Sequence, residues 1–248
     1  IDISRDNIQN RLDGACARYL TYKKNTKDVP AVLFVHGNSG VNIRSAKAII
    51  SEKDKQITKA VFGEGSKDVK ELGKGVYNQF GIGKNGFDVC SIQFAVHYMF
   101  ENTEIFHNFL RNVSEVTKVG GYLIGTSYDG KEIFKLLKNK KHDESVTIMD
   151  AENNHKMLEI TKKYTQTEFP DDATSIGYAI DVFQDTINKT FREYLVNYNY
   201  FTQMLENYGF VLLTKDETAK LGLPSSSGYF SDMFKLMTDE IKLNKGGK

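Results

Sequence analysis

Apolar positions along this chain follow two rhythms. Up to about residue 140, short apolar runs alternate with stretches of helical spacing. AVLFV at 31–35 follows Pro30, Phe87–Ile92 opens FDVCSIQFAVHYMF, and Tyr122–Ile124 follows a glycine pair; each run predicts a buried strand. Between them, Asn7–Tyr22 predicts a helix weakened by Gly14, and 41–62 predicts a helix with Ile43, Ala46, Ile49 and Ile50 on one side. Asn102 is a capping residue for an amphipathic helix with Ile105, Phe106, Phe109, Leu110, Val113 and Val116 on one face, ended by Gly120-Gly121. Lys131–Lys140 predicts one more helix, and Ile1-Asp2-Ile3 reads as the end of a strand. Such alternation implies an α/β fold, a mostly parallel sheet with helices on both faces. Ligands in such sheets bind at the carboxyl ends of the strands. Asp2, His36–Gly40 and Gln93–Tyr98 all fall there.

After about Ser145 the rhythm changes. VTIMD, KKYTQTEF and SIGYAIDVF alternate without helical spacing, so 143–190 is expected to be an antiparallel insertion on the substrate side. Phe191–Tyr208 turns helical in its latter part, and Phe210–Leu213 reads as a strand. Pro224 and the following SSSG predict a flexible loop before a last helix, Tyr229–Leu243; 216–248 is thus a C-terminal loop and helix. The glycine- and lysine-rich stretch 63–86 is expected to be a surface insertion. No internal repeat is visible, and 1–248 is expected to form one domain.

Composition narrows the function classes. The net charge is +1, so the whole-chain field does not draw in a polyanion and any nucleic-acid contact must be local. KNKKH at 138–142 and the lysines after Lys235 are local basic patches, each equally explained as a solvated helix end. No apolar run reaches the ~18–20 residues that span a bilayer, so no membrane partner is expected. Cys16 and Cys90 lie far apart without a CxxC spacing and are expected to be free thiols.

Three familiar motifs fail on context. Gly81, Gly83 and Gly86 match GxGxxG, but precede a strand and open no helix. VLFVHGNSG resembles the oxyanion loop of α/β-hydrolases, but GTSYDG places Asp129 where a nucleophile elbow needs glycine. His36, His97, His107, His142 and His155 show no HExxH and no close pairing with cysteine or carboxylate, so no metal is expected.

The clusters at strand ends survive. An acidic residue there, Asp2, is placed to accept both ribose hydroxyls of a nucleotide cofactor. Asn38 could meet an adenine edge or simply make an Asx turn. Gln93 and Phe94 could hold a cofactor while His97 and Tyr98 face a second ligand. Singly, each of these would more often be structural; together at strand ends they point to a site.

FDVCSIQFAVHYMFEN followed by FLRNVSEVTKVGGYLIGTSYDGKEIFKLL resembles the mRNA cap (guanine-N7) methyltransferases of eukaryotes and large DNA viruses. In that family an FD-x-x-S-x-QF-x-x-HY-x-F-E strand and turn precede a helix ending in LRN and then GGYFIGT. The resemblance covers Phe87 to Leu137, with weaker echoes in DIS at Asp2, ARY at Ala17–Tyr19, FVHGNS at Phe34–Ser39 and EYLV at Glu193–Val196. HYMFEN and LRNVSEVTKVGGY are most similar to the multifunctional capping enzymes of large cytoplasmic DNA viruses.

The resemblance implies a Rossmann-like class I methyltransferase fold, S-adenosylmethionine as methyl donor, and N7 of a GpppN-RNA cap guanine as acceptor. Asp2 would bind the cofactor ribose, Asn38 its adenine where the family usually has aspartate, and Gln93, Phe94 and Tyr98 the rest. Arg18, His97, Tyr128 and Glu193 would contact the cap, Tyr128 where many relatives carry proline. No residue is expected to act as general acid or base, because guanine N7 already has a free lone pair at neutral pH. The family's glycine-rich first strand and turn, and a final strand with another cap-contacting tyrosine, are not in the sequence. The chain is therefore expected to be a piece of a longer polypeptide, and residues 1–248 alone are not expected to bind cofactor normally. Triphosphatase and guanylyltransferase domains are expected in the same polypeptide, and a stimulatory subunit is a further candidate partner. The implied location is intracellular: host cytoplasm or virion for a viral protein, nucleus for a cellular one. The rival readings are an inactive methyltransferase-like scaffold or regulatory subunit, and a methyltransferase with another substrate.

Overall fold

The helix expected after Asn102 organises the first part of the molecule. A computed structural model describes residues 1–245 apart from Ala151, Asn153 and Pro224, so the loop expected at Pro224 lies partly outside the described residues. Two units separate, Ile1–Tyr208 and a second beginning at Gly209. In the first, α1 (Arg5–Gln9) and α2 (Ala15–Asn25) precede α3 (Glu52–Val61) and α4 (Val69–Tyr77). Strand β1 (Phe87–Gln93), a 3-10 helix (Val96–Phe100), α5 (Thr103–Val116), β2 (Thr117–Thr126) and α6 (Gly130–Leu136) follow. Then come β3 (Ser145–Met149), β4 (Lys156–Lys162), a 3-10 turn (Ala173–Ser175), β5 (Ala179–Gln184), β6 (Lys189–Tyr194) and α7 (Tyr198–Asn207). The second unit holds α8 (Lys215–Lys220) and α9 (Phe230–Lys245). Among the described residues no helix is long and apolar enough to cross a membrane.

The fold is mixed α/β: β1 and β2 pair in parallel, and β3-β4-β5-β6 form an antiparallel sheet in that order. The side chain of Asn102 accepts the Ile105 N–H at 3.0 Å, starting α5. Phe106, Phe109, Leu110 and Val113 are buried on one face as the spacing requires, and the Phe106 ring stacks on Tyr200 of α7 at 5.6 Å. β2 starts already at Thr117 and runs through the glycine pair expected to end the helix. In the second sheet, Ile160, Ile180, Val182 and Leu195 turn inward at period two onto Leu137, Tyr164 and Tyr178.

Four expectations are corrected. The segment Asn7–Tyr22 is two helices: Gly14 ends the turn between them, and a Cβ there would lie 2.6 Å from the backbone N and O of Asn10. AVLFV at 31–35 forms no strand; only isolated bridges join Asp2 to His36 and Gly37 to Ile49, and Val32 and Leu33 are exposed. The Asp2 N–H donates to the Val35 carbonyl at 3.1 Å, and among the described residues no ladder extends along 31–35. Residues 41–50 form a clamped loop rather than the first half of a helix. Its apolar residues do go inward, Ala46, Ala48 and Ile49 clustering with Val35. The helix waits for Ser51, whose hydroxyl accepts the Asp54 N–H at 3.1 Å. Phe210–Leu213 has no ladder partner among the described residues and leaves Val211 exposed.

Two further expectations are refined. β1 is less buried than its composition suggests, with Phe87 and Val89 exposed, because among the described residues β2 is its one ladder partner. The stretch 63–86 carries a helix of its own, α4, which buries Leu72 and packs on α3. Cys16 and Cys90 are free and half-buried.

Candidate functional site

At the end of β1 the chain turns sharply. Phe94 takes a left-handed φ of 50°, and its N–H donates to the Thr126 carbonyl at the end of β2 at 3.1 Å. Gln93 is held beside it: its Oε1 accepts from the Thr126 hydroxyl at 2.9 Å and its Nε2 donates to Ser91 Oγ at 3.0 Å. The turn leaves Phe94 exposed and throws Val96, His97, Met99 and Phe100 inward on the 3-10 helix. The turn thus sorts the cluster that follows β1 into exposed and buried halves.

Glu193 meets His97 from the other sheet. On β6 it stands opposite Ile180, a position where alternation calls for an apolar side chain. His97 is 5% and Glu193 6% exposed, and Nε2 of the first lies 3.7 Å from Oε1 of the second. That separation is too long for a hydrogen bond. Among the described residues, both His97 ring nitrogens and Glu193 Oε2 are buried without a hydrogen-bond partner. Burial pushes the Glu193 carboxyl up to about 7 and the His97 imidazole down to about 4. At neutral pH the imidazole is therefore uncharged and the carboxyl is poised near its midpoint. Buried polar atoms left open in this way cost free energy unless something completes them.

Tyr98 and Tyr128 flank the pair. The rings of His97 and Tyr98 are 4.3 Å apart edge to face. Burial, then the carboxylate of Glu193 and next that of Asp2, raises the Tyr98 phenol. Tyr98 thus stands in the fields of both carboxylates. Tyr128 is raised by burial and then by Glu193, and its hydroxyl accepts from Gln184 Nε2 at 2.6 Å.

The Asp2 end is a cavity of about 420 Å³ lined by Asp2, Asp6, Asn7, Asp13, Arg18 and Phe34 among others. Asp2 accepts the Ser4 N–H at 2.7 Å and Asn7 Nδ2 at 3.1 Å, which fixes the carboxylate at the bridge to His36. The structure therefore brings Asp2 and Arg18 to one cavity and groups His97 with Glu193 and Tyr98, with Tyr128 in the field of Glu193. Asn38 stands apart, its Oδ1 accepting the Gly40 N–H at 2.8 Å in the Asx turn weighed from the sequence.

Several site residues had gone unnoticed. Asp6 and Asp13 line the cavity, and Gln184 holds Tyr128. Asn112, 1% exposed, accepts the Ile43 N–H at 2.8 Å and donates to the carbonyls of Ser39 at 2.8 Å and Val41 at 2.7 Å. Asn197 caps α7 directly after β6, accepting the Tyr200 N–H at 3.1 Å. Only Asn197 carried a usable signal, a capping residue type before a helical pattern.

Residues 44–246 match the family model for the mRNA (guanine-N(7))-methyltransferase domain. The chain is 28% identical over 221 residues to a probable mRNA-capping enzyme of Acanthamoeba polyphaga mimivirus, covering 87% of this chain and 17% of that protein. It is 29% identical over 164 residues to an mRNA cap guanine-N(7) methyltransferase of Debaryomyces hansenii, covering 64% of this chain and 30% of that one. With an mRNA-capping enzyme of African swine fever virus it shares 25% identity over 175 residues, 70% of this chain and 20% of that protein. The chain thus spans less than a third of each of these relatives. Gln93, Phe94, His97, Tyr98, Tyr128 and Glu193 all fall inside the matched span, and with most of its length matched the chain belongs to the mRNA (guanine-N(7))-methyltransferase domain family.

Proposed function

We propose that this chain is the methyl-transferring part of an mRNA-capping enzyme, acting on N7 of the guanine in a GpppN-RNA cap. The observation that carries this reading is the open pair of buried groups, His97 and Glu193, on the turn and strand that carry the family resemblance. An ionised Glu193 accepts the adjacent ring N–H and exocyclic amino group of guanine, a two-donor edge that a carboxylate matches. A neutral His97 offers one N–H donor and one acceptor to the same ligand. Tyr98 spans from this pair toward the donor side.

S-adenosylmethionine, when bound, supplies a methyl group on a sulfonium, already a good leaving group. The residues present suit its adenosyl part: a cavity of about 420 Å³ is ample for a nucleoside, and Asp2 retains lone pairs beyond the two hydrogen bonds it accepts. Asp6 and Asp13 add an acidic wall that favours a cation, while Ile8, Phe34 and Val35 give apolar contact. Arg18, on the same cavity, is placed for the cap phosphates. In this reading the protein orients the two ligands and excludes water, and the donors of the bound guanine draw Glu193 to its ionised form; guanine N7 needs no base. Alignment of that kind lowers a barrier by roughly 7–11 kcal/mol in favourable cases. Triphosphatase and guanylyltransferase activities belong, on this reading, to the remainder of a longer polypeptide, and the site of action is intracellular.

The test is transfer of labelled methyl from S-adenosylmethionine to GpppG-RNA by the full-length polypeptide. Activity that collapses in Glu193→Ala and His97→Ala supports the reading; full activity in both sinks the site, and no cap methylation by the parent enzyme sinks the function.

A further inference from the structure

Gly177 and Tyr178 join the two backbones that carry His97 and Glu193. The Gly177 N–H donates to the Phe100 carbonyl at 2.9 Å, and the Tyr178 carbonyl accepts the Leu195 N–H at 2.9 Å. Phe100 closes the 3-10 helix one turn after His97, so holding its carbonyl fixes the rotation of that turn. Leu195 follows Glu193 along the chain by one strand repeat, and both are buried. The bridging peptide is itself anchored from the segment before it. The Tyr178 hydroxyl donates to the Glu168 carbonyl at 2.9 Å, and its ring lies 5.1 Å from Phe169, which stacks on Phe134 of α6 at 5.4 Å. Beyond β6, Asn197 Nδ2 donates to the Pro170 carbonyl of the same segment at 2.8 Å.

What this peptide holds is a separation. His97 Nε2 and Glu193 Oε1 face each other at 3.7 Å, whereas a hydrogen bond needs about 3.2 Å or less. Two buried polar groups lower their free energy by closing such a gap, but closing it would occupy the atoms a ligand needs. The spacing follows from where the two backbones stand, and the Gly177–Tyr178 peptide is hydrogen-bonded to both. We infer that Gly177 is a positioning residue: its peptide sets the distance between His97 and Glu193 and keeps both open to a shared ligand. The inference rests on the cap reading for the identity of that ligand, while the spacing is a property of the fold. Glycine is required here by conformation rather than by space. Its φ is 89°, and a Cβ would meet the Glu101 carbonyl at 3.5 Å, an ordinary contact. Alanine therefore strains the bridging peptide without crowding it. Gly209, directly after α7, supplies the control, with the same φ of 89° and nothing within 4 Å of its Cβ position.

The experiment takes crystal structures and steady-state kinetics of the full-length polypeptide and of its Gly177→Ala, Gly177→Asn and Gly209→Ala variants. Gly177→Ala is expected to change the Nε2–Oε1 spacing by about 0.5 Å or more. KM for GpppG-RNA should rise about tenfold or more, with KM for S-adenosylmethionine unchanged. Asparagine adopts a left-handed φ more readily than alanine, so Gly177→Asn should fall between the parent and Gly177→Ala. Gly209→Ala should lower the melting temperature comparably while keeping the parental spacing and both KM values. If Gly177→Ala fails to fold, Gly177→Asn decides alone. Folded Gly177 variants with the parental spacing overturn the inference, as does an altered spacing with the parental KM for the cap. An equal rise in cap KM in Gly209→Ala overturns it too, since that would report a loosened fold. A parent that methylates no cap overturns the cap reading instead, and the crystallographic spacing in Gly177→Ala still tests the bridge.

Discussion

Glu193 and His97 have environments that oppose each other's usual ionisation. The carboxyl, moved from 4.5 to about 7, stays protonated in the folded state over a range where the unfolded chain has lost that proton. Stability from this group therefore falls as pH rises from about 4.5 to about 7. The imidazole, moved from 6.5 to about 4, stays neutral where the unfolded chain has gained a proton, so its contribution rises with pH from about 4 to 6.5. The two slopes nearly cancel in the overlap. Glu193→Gln removes one of them, and acidifying that variant from pH 7 to pH 5 should cost about 2 kcal/mol more than in the parent, read by denaturant unfolding at each pH. On the proposed reading, cap binding follows the ionised carboxylate. KM for the cap should climb below pH 7, approaching tenfold per pH unit, and should be flat and high in Glu193→Gln. A pH profile following a histidine instead would assign the titration to the wrong partner.

At the scale of elements, the site is a meeting of irregular segments held by buried carboxamides and close backbone approaches. Asn112 projects from α5 into the loop 38–43 and satisfies three backbone groups there. Asn112→Ala leaves those groups unpaired and should lower stability on the order of 2–3 kcal/mol, measured as a fall in denaturation midpoint. Gly130 opens α6 with its N–H on the Val196 carbonyl at 3.1 Å, and a Cβ there would lie 2.3 Å from that oxygen. Gly130→Ala must push the Tyr128 loop away from the end of β6. Cap KM should then rise at least several-fold while KM for S-adenosylmethionine changes little, a split that steady-state kinetics reads directly. Local sequence reached part of this. Asn102 and the spacing from Ile105 to Val113 named α5, and alternation found β3 in VTIMD and β5 in SIGYAIDVF, while KKYTQTEF falls after β4 and β6 was not singled out. Helix α3 was missed at its start because the apolar residues at 43–50 have helical spacing while folding as a loop. Their burial was legible; their backbone path depended on Asn112 and Arg44, which lie elsewhere or act at a distance.

For the molecule as a whole, a net charge of +1 limits long-range attraction to RNA. On the proposed reading, salt dependence should then reflect only a few phosphate contacts near Arg18. KM for capped RNA is expected to change less than about tenfold between 50 and 200 mM salt, against the factors of 10³ or more seen with many phosphate contacts. A steeper dependence would reveal an RNA track beyond the cap. From the sequence alone came the mixed α/β class, the position of β1 and of the turn behind it, and part of the antiparallel segment. These are readable because hydrophobic period, capping residues and motif order are local properties of the chain. Only tertiary structure decided that Glu193 is buried against His97, that the Tyr98 ring meets the His97 ring edge to face, and that Gln184 reaches Tyr128. Those pairings join residues on different strands and turns, and their ionisation is set by the surroundings each group acquires when the two sheets are assembled.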